Sequence, residues 1–211
     1  MKSPYRNIED ILHAYRQRKD DILRRLEEFK SVSRQLYFYE LAYCCMTPQS
    51  SASHCLKAQQ MLQSQNFLHD PIDPEPILRR KESYIRFHKT KALRLITIKA
   101  QFPVIGEVII SEKSAEVKRE WLVKNVNGLS YKEATHFLRN IGMNENLAIL
   151  DRHILKNLKW HGILRSFPKT LTRKRYLGIE KKFQRFSTDI GIPLNELDLV
   201  FWSTETGFVL K

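Results

Sequence analysis

The stretch from Val117 to Lys156 constrains this chain more than any other. It reads VKREWLVKNVNGLSYKEATHFLRNIG and then MNENLAILDRHILK. Val117, Trp121 and Leu122 recur at helical spacing until Asn127-Gly128-Leu129-Ser130 breaks the pattern. Ala134, Phe137, Leu138 and Ile141 restart it at once, and Gly142 ends it. The expected unit is helix, tight glycine turn, helix. Lys132 falls in the first turn of the second helix. Asp151 opens the next helical segment, nineteen residues downstream.

A tight turn between two helices points backbone N–H groups outward. Those groups and the positive end of the helix dipole suit an anion, most simply a phosphate. The same field disfavours an ammonium at Lys132 and so favours the free amine, which is the nucleophilic form. A helix and a loop can fold the intervening residues back so that Asp151 faces that amine. Taken singly, Lys132 reads as a solvated first-turn lysine and Asp151 as a helix cap. The combination of turn, lysine and LDRHIL segment is what points to chemistry.

Composition narrows the partner. The 211 residues carry a net charge of +13 and a pI of about 9.7, which suits a polyanion: nucleic acid first, an anionic membrane surface second. From Asp151 to Arg185 there are eleven Lys and Arg against two acids. After Phe186, four acids face one lysine. So dense a local excess is more than a solvated face requires, because like charges repel and favour a counter-anion. No apolar run reaches membrane-spanning length and no signal peptide is visible. Cys44, Cys45 and Cys55 match no metal or disulfide spacing; Cys44 and Cys45 sit in an apolar run and read as core thiols, and a reducing compartment fits.

Along the chain the periodicity predicts a charged amphipathic helix over 7–29, with Ile8, Ile11, Leu12, Tyr15, Leu23 and Leu26 inward. A buried helix follows over 33–46, then the Thr47-Pro48-Gln49-Ser50-Ser51 corner. A further helix, capped by Ser51 or Ser53, runs to about Gln63. His69 to Pro76 is rich in proline and predicts a loop that no helix survives. A helix opening at Arg86 runs to about Gln101; its cations, Lys89 and Lys91 included, either line a polyanion or decorate the surface. Residues 103–111 are then a connector. Helices follow from Asp151 to about Trp160, over 171–190 and over 194–204. Hardly any stretch alternates with period two, so the expectation is an all-α fold of two small helical lobes with a cleft between them. The approximate lobes are 33–145, holding the hairpin at 118–142, and 1–32 with 146–211.

Asn127 to Gly142, the LAILDRHIL segment and the closing Glu205-Thr206-Gly207-Phe208-Val209-Leu210-Lys211 together resemble the helix-hairpin-helix DNA glycosylases. They are most similar to the compact second subfamily of 8-oxoguanine DNA glycosylase/lyases, over nearly the whole chain. One departure is Ser130, where the family's hairpin usually has its second glycine; a serine fits only if the turn tolerates a Cβ there.

The resemblance implies a bifunctional enzyme of base excision repair. Its substrate is duplex DNA carrying oxidised guanine, Lys132 is the nucleophile and Asp151 the stabilising carboxylate. It implies phosphate contacts at Gly128, Leu129, Ser130 and Tyr131. It puts Gln49, Ser50, Ser51 and Arg152 against the DNA, with Gln49 filling the gap left by an extruded base. Base recognition falls to Lys211 with its terminal carboxylate, to Trp202 as a stacking wall and to His136. A hydrogen-bonded helix histidine is the plain alternative for His136. The four-cysteine cluster loop of some relatives is lacking, since no cysteine follows Cys55. No metal and no cofactor are therefore expected, a monovalent cation at the hairpin being compatible. The expected setting is a cytoplasmic, nucleoid-associated monomer with no obligate protein partner and no membrane. The alternatives are a non-catalytic helix-hairpin-helix DNA-binding module and a glycosylase for a different damaged base.

Overall fold

The chain is all-α. A computed structural model describes residues 4–144, 146–207 and 209. It contains ten α-helices and two single 3₁₀ turns, and no strand among the described residues. None of the described helices is long and apolar enough to cross a membrane. The chain forms two compact units, Val32–Ile141 and the pair of segments Met1–Ser31 with Gly142–Lys211.

The central unit is built around α2 (Tyr37–Met46), whose ten residues are all buried. A helix apolar on every side can only be a core helix. Phe38 meets the rings of Tyr39, Phe67 and Phe102 at centroid distances of 5.2, 5.8 and 5.2 Å. Around it lie α3 (Ala52–Ser64), α4 (Glu75–Arg79), α5 (His88–Ile110), α6 (Ala115–Asn125) and α7 (Tyr131–Asn140). One polar knot lies within this core. Glu40 accepts from the Gln59 amide at 2.8 Å and from the Asn140 amide at 3.1 Å, tying α2 to α3 and α7. A buried carboxylate needs such partners to offset its lost hydration.

Several sequence expectations change here. The helix expected to end near Gln101 continues through Pro103 to Ile110. Proline removes one backbone bond, but Ile98, Ile105 and Ile109 are all buried along this helix, and their packing outweighs that loss. The proline-rich loop does admit a short helix, α4, because Pro76 stands in its first turn, where the missing N–H has no helical acceptor to lose. In α6 it is Ala115, Lys118, Arg119 and Leu122 that are buried, whereas Val117 is 49% exposed. Ser51 precedes α3 as expected, but its hydroxyl pairs with that of Ser53 at 2.7 Å instead of capping the helix.

The second unit combines α1 (Ile8–Lys30), α8 (Arg152–Trp160), α9 (Arg173–Ile190) and α10 (Leu194–Thr206). In α1, Ile11, Ile22 and Phe29 face inward, while Leu23 is 41% exposed. Tyr176, Ile179, Phe183 and Phe186 form the inner stripe of α9, leaving its lysines and arginines in water. Gly142 is an obligate glycine. It sits at φ +71°, and a Cβ there would approach the Lys30 Cα to 2.5 Å.

Candidate active-site and DNA-binding residues

The hairpin joins α6 to α7 through residues 126–130. Gly128 takes φ +94°, a conformation that calls for glycine; a Cβ on it would lie 2.8 Å from the Arg94 side chain, which is flexible enough to move aside. Ser130 is different. Its φ of −97° and ψ of −179° are extended, open to any residue. Serine therefore fits where the family more often has glycine, and it makes use of its side chain. Its N–H donates to Glu133 Oε2 at 3.1 Å and its hydroxyl donates to the same oxygen, closing the start of α7.

These bonds narrow the phosphate site expected across Gly128 to Tyr131. Leu129 donates its N–H to the Val126 carbonyl at 3.2 Å, and Ser130 is committed to Glu133. The Gly128 N–H has no acceptor among the described residues. The two helices are held together by Arg119, 1% exposed, which donates to Thr135 at 3.3 Å and lies over the Tyr131 ring. The Tyr131 hydroxyl in turn donates to Glu120 at 2.6 Å.

Lys132 follows as the second residue of α7, its side chain 21% exposed. Its Nζ donates to Thr47 Oγ1 at 3.3 Å and lies 3.6 Å from Glu133 Oε1. The amine thus rests against the Thr47–Ser51 corner of its own unit. Within that corner Gln49 is exposed, at φ +56°, with Ser50 closing the turn on the Thr47 carbonyl at 3.1 Å. The neighbouring thiols of Cys45 and Cys55 are pushed up to about 12, in both cases chiefly by burial, and so stay protonated.

Asp151 belongs to the other unit and is the N-cap of α8. Its Oδ1 accepts from the N–H groups of His153 and Ile154, both at 2.8 Å. Its Oδ2 has no hydrogen bond among the described residues. The strand-like lead-in is pinned to α9. Ala148 donates its N–H to Glu180 at 2.8 Å, and Tyr176 donates to the Ala148 carbonyl at 2.5 Å while accepting from Leu150 N–H at 3.2 Å. Three buried bonds therefore fix where the carboxylate stands.

Arg152, beside it, is exposed. Trp202 is half-buried in α10. His136, on α7, is 7% exposed and meets the Tyr43 ring of α2 edge-on at 5.7 Å. Lys211 lies outside the described residues. Sequence reasoning gave Glu133 no role, and it left Lys91, the lysine beneath the corner, undecided between a polyanion contact and surface decoration. The Ser-x-x-Glu spacing from Ser130 to Glu133 was a legible signal for the first; nothing local marked the second.

An all-helical chain with this glycine-turned hairpin, a first-turn lysine and a strong basic excess falls in the class of helix-hairpin-helix DNA-binding proteins. Comparison with known proteins makes this specific. The family model for 8-oxoguanine DNA glycosylase matches residues 22–192, and the chain belongs to that family. It is 36% identical to the 8-oxoguanine DNA glycosylase/AP lyase of Fusobacterium nucleatum, covering 100% of this chain and 99% of the relative. It is 39% identical to that of Korarchaeum cryptofilum, covering 97% of each. Among solved structures, the Methanocaldococcus jannaschii 8-oxoguanine glycosylase/lyase in complex with a 15mer DNA containing 8-oxoguanine superposes with a TM-score of 0.87. It is 34% identical over 97% of this chain and 99% of that one. The Thermotoga maritima 8-oxoguanine DNA glycosylase superposes with a TM-score of 0.86, at 30% identity over 97% of this chain and 98% of that one.

Proposed function

We infer that this protein is a DNA glycosylase and AP lyase that removes 8-oxoguanine from duplex DNA through a lysine Schiff base. The observation that carries the reading is Lys132 in the first turn of α7, directly behind the Gly128 turn, in a chain matched end to end by glycosylase/lyases. A non-catalytic DNA-binding module would need neither the lysine nor the carboxylate of Asp151.

In this mechanism the Gly128 N–H and the α7 dipole hold a backbone phosphate while the damaged nucleotide is extruded. The Lys132 amine attacks the sugar C1′, and the bond from C1′ to the base breaks with its electron pair leaving on the base. The lysine-bound sugar opens to a Schiff base. Loss of a C2′ proton then expels the 3′ phosphate by β-elimination. Asp151 opposes the positive charge that grows on the sugar, and its unbonded Oδ2 is the oxygen free to do so. Amine and carboxylate supply the chemistry, with no cofactor required.

Trp202 is assigned to the recognised base and Gln49 to the space it vacates. An 8-oxoguanine presents an N7–H donor where guanine has an acceptor, so an acceptor in the pocket separates them. We further assign the protein to the nucleoid, acting as a monomer.

The test is borohydride trapping on a duplex containing 8-oxoguanine. Wild type is expected to give a covalent adduct and a nick, and Lys132→Gln neither while still binding. Trapping of the variant at wild-type level would remove Lys132 as the nucleophile.

A further inference from the structure

The Lys91 side chain is 3% exposed, on the first turn of α5. Its Nζ donates to three acceptors: the carbonyl of Met46 at the end of α2 and that of Pro48 in the corner, both at 2.6 Å, and Ser50 Oγ in the corner at 3.1 Å. Three donors meet three acceptors, which is the full capacity of an ammonium. Ser50 Oγ also accepts from the Arg86 N–H at 3.0 Å, and the Lys91 N–H donates to the Phe87 carbonyl at 3.0 Å. The lysine therefore fastens the corner to the start of α5 from beneath.

The fastened backbone is strained on both sides. Gln49 sits at φ +56° and Phe87 at φ +61°, a region that residues other than glycine seldom enter. Both are exposed. Such conformations persist only where the surroundings over-determine them, and they gather at functional sites. A buried lysine spending all its hydrogen bonds on two carbonyls and a hydroxyl is an expensive fastening for an ordinary connector.

We propose that Lys91 is a positioning residue: its ammonium holds the Thr47–Ser50 turn in the shape that presents Gln49 to the gap left in the DNA stack. The assignment rests on the glycosylase reading for the role of Gln49. The groups surrounding Lys91 are Cys45 on α2, Cys55 on α3, Arg94 on α5 and Glu133 on α7. Burial is the main influence on the amine and lowers its pKa to about 8.

The experiment is a double-mutant cycle on binding, using a duplex with a tetrahydrofuran abasic analogue and the same duplex undamaged. Lys91→Met is expected to weaken analogue binding about tenfold while changing undamaged binding less than twofold. In a Gln49→Ala background the same change should cost almost nothing, because the group being positioned is gone. Ser50→Ala removes one anchor with less risk to folding, and should show a smaller loss that also vanishes without Gln49. Losses that add independently of Gln49, equal losses on both duplexes, or no wild-type preference for the analogue would each overturn the proposal. Neither duplex contains 8-oxoguanine, so a failed base assignment would show in trapping alone and leave this result standing.

Discussion

Lys132 and Asp151 both stand at helix starts, in different units, yet their helices depend on them differently. Lys132 contributes nothing to the closure of α7, which Ser130 and Glu133 perform. Asp151 is itself the closure of α8, accepting two N–H groups on one oxygen and leaving the other unbonded. The amine is carried by its helix, whereas the carboxylate is part of its helix. Chemistry and stability should therefore separate cleanly at one position and remain joined at the other.

The largest expected effect is at Lys132. Lys132→Gln should abolish base release and nicking, while stability stays within about 1 kcal/mol of wild type, because only one long hydrogen bond to Thr47 and one ion pair with Glu133 are altered. A strongly destabilised variant would break the contrast. Next comes Asp151→Asn, which removes the charge but keeps a good cap. Single-turnover base release should fall by about a hundredfold or more, in line with the loss of one oriented electrostatic partner, with stability nearly kept. Asp151→Ala should lose activity similarly and about 1 kcal/mol of stability besides, read by urea denaturation.

Ser130→Ala should cost about 0.5–1 kcal/mol and leave the single-turnover rate almost untouched. A large rate loss there would mean that the cap also sets the amine. The smallest effect is in pH. Lys91 holds its proton to about pH 8 in the fold against an ordinary value of 10.5. Between those values the unfolded chain binds more protons, so this group's contribution to stability rises with pH across that window. Its burial cost is fully present below pH 8. The difference in urea midpoint between wild type and Lys91→Met should move in that direction from pH 7.5 to 10.

The hairpin was legible because its signals are local: Gly128 for the turn, then apolar residues at helical spacing. So was the cap at Asp151, an aspartate before an apolar-periodic run. Pro103 was misleading, because a proline's local penalty is visible in sequence while the buried contacts of Ile98, Ile105 and Ile109 that outweigh it are not. Lys91 was ambiguous for the same reason. Its acceptors lie 41 to 45 residues away in the chain, so only the fold reveals that it is neither a DNA contact nor decoration. The tolerance of Ser130 likewise turned on a backbone angle.

The sealed sulfur atoms carry one more consequence. Cys44, Cys45 and Cys55 are at most 3% exposed, and burial holds two of them protonated well past neutrality. Peroxide and alkylating reagents attack the thiolate, so the folded protein should survive incubation with either while its unfolded chain is rapidly modified. Guanine oxidation arises under the same oxidant stress that would modify an open thiol, and this fold keeps all three of its thiols out of reach.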